Sequence, residues 1–104
     1  MKNTINKKIA FLGAGNMAEA LINGFIKSGL VSSGNISASD INTQRLFYIK
    51  KKFKIGTKDS VSAVKSADIL FIAVKPKDVG VLLEQIKNQI TSNKLVFFKR
   101  HNSS

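Results

Sequence analysis

The stretch KIAFLGAGNMA, running from Lys8 to Ala18, decides how the rest of the chain is read. Ile9 to Leu12 is a short apolar run of the kind a buried parallel strand shows. Gly13, Gly15 and Ala18 follow in G-x-G-x-x-A spacing, and a helical apolar period begins at Met17. Strand, glycine turn and helix in that order are what a dinucleotide-binding unit needs. Gly13 lets the chain turn sharply off the strand. Gly15 keeps a side chain away from a pyrophosphate, and Ala18 is small enough for the helix to lie close on the sheet. The helix N-terminus offers unpaired N–H groups and a positive dipole end to phosphates. A glycine turn between any strand and helix has the same local spacing, so the flanking pattern must decide.

Working outward, Met1 to Lys7 is polar and reads as a loose terminus. Strand one is predicted at Lys8 to Leu12, and helix one from Asn16 to Ser28. Met17, Leu21, Gly24, Phe25 and Ser28 share one face of that helix. Gly24 is expected to permit close approach to the sheet, and Gly29 to follow the helix end as its C′ residue. Asn35 to Ser39 reads as strand two, ending at Asp40. Asn42 is placed to cap helix two, whose inward face is Leu46, Ile49 and Phe53. Arg45, Lys50, Lys51 and Lys52 lie on its other side and read most simply as a solvated face. Lys54 to Gly56 gives a minimal third strand, and Asp59 or Ser60 caps a short helix over Val61 to Lys65.

Ile69 to Val74 is an unbroken apolar run, as a central strand covered on both faces requires. It stops at Lys75-Pro76, where proline suits the first turn of a further helix carrying Val79, Leu82, Leu83, Ile86 and Ile90 inward. Asn93 turns the chain into a fifth strand, Leu95 to Phe98. Strands alternating with helices predict an α/β, Rossmann-like, doubly wound parallel sheet of about five strands in order 3-2-1-4-5. Residues 1–98 form that domain and 99–104 a polar tail.

A chain of 104 residues is one domain, large enough for a real core and small for a complete enzyme. Without cysteine it has neither disulfides nor cysteine metal sites, which fits a reducing, cytoplasmic setting. No stretch approaches the length of a membrane span. The net charge of +11 admits an anionic polymer as partner, but the lysines are scattered and an aromatic stacking platform is poorly supplied, which weighs against nucleic acid. No catalytic group or metal cluster can be picked out, and His101, the only histidine, lies in the polar tail. In this fold an acidic residue about 20 positions past the glycines holds a ribose 2′-hydroxyl, whereas a nearby arginine accommodates a 2′-phosphate. Asp40 favours the first cofactor and Arg45 the second. Asp40 also fits a purely structural role at the start of the next helix.

Two segments carry a resemblance. Ile9 to Ala20 (IAFLGAGNMAEA), with Gly24 beyond, resembles the opening of pyrroline-5-carboxylate reductases, and Ser66 to Pro76 (SADILFIAVKP) resembles that family's second hallmark. The resemblance covers Lys8 to Val96. It implies a reductase that passes hydride from NADPH, sometimes NADH, to 1-pyrroline-5-carboxylate, giving proline. It further implies that Leu12, Gly13, Ala14, Gly15, Asn16 and Met17 hold the pyrophosphate, that Ser39 and Asp40 face the adenosine ribose, and that Ala73, Val74, Lys75 and Pro76 line the nicotinamide side. Ser60 stands where the family often has a cofactor-contacting asparagine. After Val96 the family continues into a small-residue segment and a helical domain that supplies the dimer interface and most of the substrate site. Here the chain reads FFKRHNSS, Phe97 to Ser104, so a truncated or frameshifted form with little turnover and some exposed apolar surface is expected. Two other readings remain: a different Rossmann dehydrogenase, and a basic, non-enzymatic anion-binding module.

Overall fold

A computed structural model describes residues 4–99; His101 and most of the 99–104 tail lie outside the described residues. Five parallel strands form one sheet in the order β3-β2-β1-β4-β5. They are β1 (Ile9–Leu12), β2 (Ile36–Ser39), β3 (Gly56–Thr57), β4 (Ile69–Ile72) and β5 (Leu95–Phe98). The helices are α1 (Asn16–Lys27), α2 (Thr43–Phe53), α3 (Ser60–Ser66) and α4 (Pro76–Ile86). The expected fold class and strand order are those observed.

Side chains alternate across the sheet and divide the core in two. Ile9 and Phe11 of β1, with Ile36 and Ala38 of β2, pack under α1 and α2. Ala10, Leu12, Leu70 and Ile72 face the other way, against Ala63 and Val64 of α3 and Leu82 and Ile86 of α4. The register is continuous: Phe11 stands beside Ala38 on one side and Phe71 on the other, and Phe71 beside Phe97. Each strand but the last is followed by a connection that returns the chain to a parallel strand, a neighbour in every case but the crossover from β3 to β4. This brings the C-terminal ends of β1, β2 and β4 to one edge.

Several boundaries and faces differ from the sequence reading. The N-terminal segment is not loose from Thr4 onward. The Ile5 N–H donates to the Leu30 carbonyl at 2.7 Å and its side chain packs on the first core. In α1 the wholly buried residues are Ala18 and Ile22; Leu21 and Phe25 of the expected face also pack on the first core, so the inward stripe is centred about one position on from the expected one. Gly24 is exposed and a Cβ there would meet nothing within 4 Å, so it has no role in helix–sheet approach. Ser33–Asn35 form a 3-10 turn ahead of β2. Lys54 ends α2 in the left-handed region at φ 59°, its N–H donating to the Lys50 carbonyl. That turn delays β3 to Gly56. β4 stops as a regular strand at Ile72, although the Ala73 N–H still reaches the Leu12 carbonyl at 2.7 Å.

Candidate functional site

Gly13 is the pivot of the sheet edge. Its N–H donates to the Ser39 carbonyl at 2.7 Å, which ties the end of β1 to the end of β2. Its φ is +110°, and a Cβ would lie 2.6 Å from the Ala73 carbonyl oxygen. Both the backbone conformation and the contact with the end of β4 exclude a side chain. Gly15 is different. It is exposed, its φ is an ordinary −81°, and a Cβ there would meet nothing within 4 Å among the described residues. Among the described residues nothing demands glycine at position 15.

Gly15 is the N-cap of α1 and supplies no side-chain acceptor. The N–H groups of Asn16, Met17 and Ala18 therefore lack the intrahelical partners that later turns have. By contrast, α2 is capped by Asn42, which accepts from the Arg45 N–H at 3.0 Å, and α3 by Asp59, which accepts from Ser62. Those Ser62 bonds hold the Asp59 carboxyl below its ordinary range. The fourth helix starts, like α1, without a side-chain cap, at Lys75-Pro76. The two uncapped helix ends follow β1 and β4, the two strands between which the sheet order reverses.

The residues singled out from sequence gather on this edge, in unequal roles. Leu12 and Ala14 are buried; Asn16, Lys75 and Pro76 are exposed; Met17, Ala73 and Val74 are half-buried. Ser39, nearly buried, meets Ser60 hydroxyl to hydroxyl at 3.1 Å, so the ends of β2 and α3 are joined. Asp40 is already engaged on both oxygens: Oδ2 accepts the Ala14 N–H at 2.7 Å and Oδ1 the Asn42 N–H at 2.8 Å. Of the glycine turn's donors, Gly13 and Ala14 are thus consumed within the protein.

Arg45 crosses from α2 to the glycine turn. Its Nε donates to the Ala14 carbonyl at 2.5 Å, and Nη2 to Glu19 Oε1 at 2.5 Å, with Asn16 Oδ1 more distant at 3.4 Å. Glu19 Oε2 in turn accepts from Lys52 Nζ at 2.7 Å and from the Tyr48 hydroxyl at 3.0 Å. These three donors, Lys52 foremost, hold the Glu19 carboxyl down to about 2. Lys52 is correspondingly raised above its ordinary value. Lys52 is therefore not a plain solvated lysine, as its helix face had implied. Glu19, Tyr48 and Lys52 were missed in the sequence. The available signal was the i, i+3, i+7 spacing of Arg45, Tyr48 and Lys52, which puts them on one face of α2. Among the described residues no three of His, Cys, Asp and Glu gather as a metal site, and no helix is long and apolar enough to cross a membrane. The surface groove bordered by Phe47, Lys50, Lys51, Lys54 and Ile55 includes none of these residues.

A parallel sheet whose order reverses between β1 and β4, with a glycine turn and two uncapped helix ends at the reversal, defines the doubly wound nucleotide-binding class. The chain belongs to the family described as NADP oxidoreductase coenzyme F420-dependent, which matches residues 8–97. A pyrroline-5-carboxylate reductase of Methanosarcina acetivorans is 45% identical over 92 residues, covering 88% of this chain and 34% of that protein. The structure of a pyrroline-5-carboxylate reductase from Coxiella burnetii superposes with a TM-score of 0.83 at 27% identity, over 90% of this chain and 35% of that one. The Plasmodium falciparum pyrroline carboxylate reductase with NADP bound gives 0.75 at 25% identity, over 94% and 34%. The resemblance drawn from the two sequence hallmarks is thus upheld, and the chain spans about a third of the length of these relatives.

Proposed function

We propose that this chain is the NADP(H)-binding part of a cytoplasmic pyrroline-5-carboxylate reductase of proline biosynthesis, with residues 1–98 as the binding domain and 99–104 as a tail. The observation that carries the reading is Gly15. Its lack of a side chain serves no contact within the protein, while it stands at an uncapped helix N-terminus beside the reversal of strand order. A group that must approach that backbone closely, such as a pyrophosphate, explains it.

In this reading the first-turn N–H groups of Asn16 and Met17 hold the pyrophosphate, and Gly13 and Ala14 shape the turn. Ser39, Asp40 and Arg45 border the adenosine ribose, with Ser60 supporting Ser39. Ala73, Val74, Lys75 and Pro76 border the nicotinamide. When bound, the reduced nicotinamide supplies the hydride that converts 1-pyrroline-5-carboxylate to proline. The residues here orient a cofactor, but they bring no group that fixes an imine beside it, so the isolated chain is expected to turn over little or not at all.

The test is a titration of NADPH, and separately of NADH, followed by cofactor emission. The chain has no tryptophan to interfere. The unaltered chain binds saturably, and Gly15→Val keeps its thermal transition yet loses at least tenfold in affinity, since a Cβ at that position meets only the incoming phosphates. Equal binding by both forms would refute the reading. Proline formation at the rate of the full-length relatives would refute the expectation of an incompetent fragment.

A further inference from the structure

Arg45 has five N–H donors in a fixed fork. One, on Nε, is spent on the Ala14 carbonyl, and Nη2 is directed at Glu19 and Asn16. The Nη1 amino group makes no hydrogen bond among the described residues. The guanidinium is held at two points against the first turn of α1, with one edge unspent. The holding is redundant on the acid side, because Glu19 is itself fixed by Lys52 and Tyr48, while the Arg45 guanidinium lies 4.9 Å from the Tyr48 ring centre. Charge in this cluster is one carboxylate against two cations. Asp40, the group that would favour an unphosphorylated ribose, already accepts a backbone N–H on each oxygen and keeps only part of its acceptor capacity.

We propose that Glu19 is a positioning residue: by clamping Arg45 Nη2 it presents the free Nη1 edge to the 2′-phosphate of the adenosine ribose, and so sets preference for NADP(H) over NAD(H). The assignment rests on the binding reading above. Glu19 touches no cofactor in it, and acts through Arg45. A purely electrostatic role makes the opposite prediction, because an acid beside a phosphate site weakens binding and its removal should strengthen it.

The experiment compares adenosine 2′,5′-bisphosphate with adenosine 5′-monophosphate on the full chain by calorimetry, for the unaltered protein, Glu19→Ala, Glu19→Gln and Arg45→Lys. The unaltered chain favours the bisphosphate. Glu19→Ala cuts that ratio about tenfold, the worth of one well-aligned hydrogen bond to a charged group, without changing monophosphate affinity. Arg45→Lys also lowers the ratio, since it keeps the charge and loses the fork. A ratio unchanged or raised in Glu19→Ala overturns the assignment alone. Failure of the unaltered chain to bind either nucleotide overturns the binding reading and the assignment with it. A readout independent of ligand is the Arg45 Nη2 N–H signal, slow to exchange in the unaltered chain and lost to exchange in Glu19→Ala. Glu19→Gln keeps an acceptor of the same length and serves if the alanine variant does not fold. It lowers the ratio less than alanine, and an unprotected Nη2 N–H in the unaltered chain contradicts the clamp.

Discussion

Phe11 and Phe97 lie two strands apart on the same face of one sheet, stacked through Phe71 with ring centres 5.0 Å apart at each step. Phe11 is wholly buried and Phe97 is 44% exposed. The strands are alike in composition; the covering is not. Over β1 and β2 lie α1 and α2, with Phe25 of α1 reaching across to Phe71 at 6.0 Å. Beyond Phe25 no described helix covers β5 on this face, and Leu95, Phe97 and Phe98 are all about half exposed. The half that carries the candidate site is packed on both faces and tied by backbone, serine, aspartate and arginine contacts. The β5 half is an apolar edge strand of the kind that invites pairing. The rigid half is the one at the strand-order reversal.

The contrast can be broken most severely at Gly13. Gly13→Ala places a Cβ 2.6 Å from the Ala73 carbonyl at a φ that L residues avoid, and should cost ~4 kcal/mol from strain and overlap together, most of a small domain's stability. Urea unfolding checks it, and a loss under about 1 kcal/mol would mean that the turn relaxes freely. Next is the pair that defines the comparison. Phe11→Ala should cost about 3 to 5 kcal/mol and Phe97→Ala about 1 to 2, in proportion to what each buries. Equal losses would show that β5 is covered in solution, for example by self-association. Smaller still, Phe98→Lys should shift stability by no more than ~0.5 kcal/mol while lowering concentration-dependent light scattering, because it charges an exposed edge position. Scattering that does not change would remove β5 as the source of association.

The smallest effect is one of acidity. Glu19 titrates near 2 in the folded chain against an ordinary 4.5, so its contribution is complete above about 4.5 and is lost as the pH falls toward 2. Asp59, lowered by its cap bonds to Ser62, adds in the same direction. Glu19→Gln should therefore flatten the acid limb of the stability profile and leave the neutral region nearly parallel to that of the unaltered chain. An unchanged acid limb would mean that the Glu19 cluster is open in solution.

Much of this was legible in the residues. The apolar runs at Ile9 and Ile69, the G-x-G-x-x-A turn and the Lys75-Pro76 break, read together with the alternation of strands and helices, point to the parallel sheet and its order, because taken jointly they fit one doubly wound arrangement. Gly24 shows where local reading fails: a glycine on the expected inner face looked like a packing device, yet the helix is rotated so that Ala18 and Ile22 face the core. Lys54 in the left-handed region displaced β3 for a similar reason, since glycine and not lysine is the usual sign of such a helix end. The Glu19 cluster was beyond reach for another cause. Its partners are separated by 26 to 33 positions, and only the crossing of α2 over the start of α1 brings them together. The two carboxylates near the turn, Asp40 and Glu19, could not be assigned roles until their partners were known.

The covered, tied half of the sheet, and not the β5 half, is proposed to bind the nicotinamide dinucleotide. The most direct measurement is a titration of the 15N-labelled chain with NADPH, followed by amide chemical shifts. Saturable shifts are expected at Gly15, Asn16 and Met17, with smaller ones at Asp40, Arg45 and Ala73 to Lys75, and none at Leu95 to Phe98. Shifts confined to β5 or to the Phe47 groove, or no saturable shift at all, would contradict it.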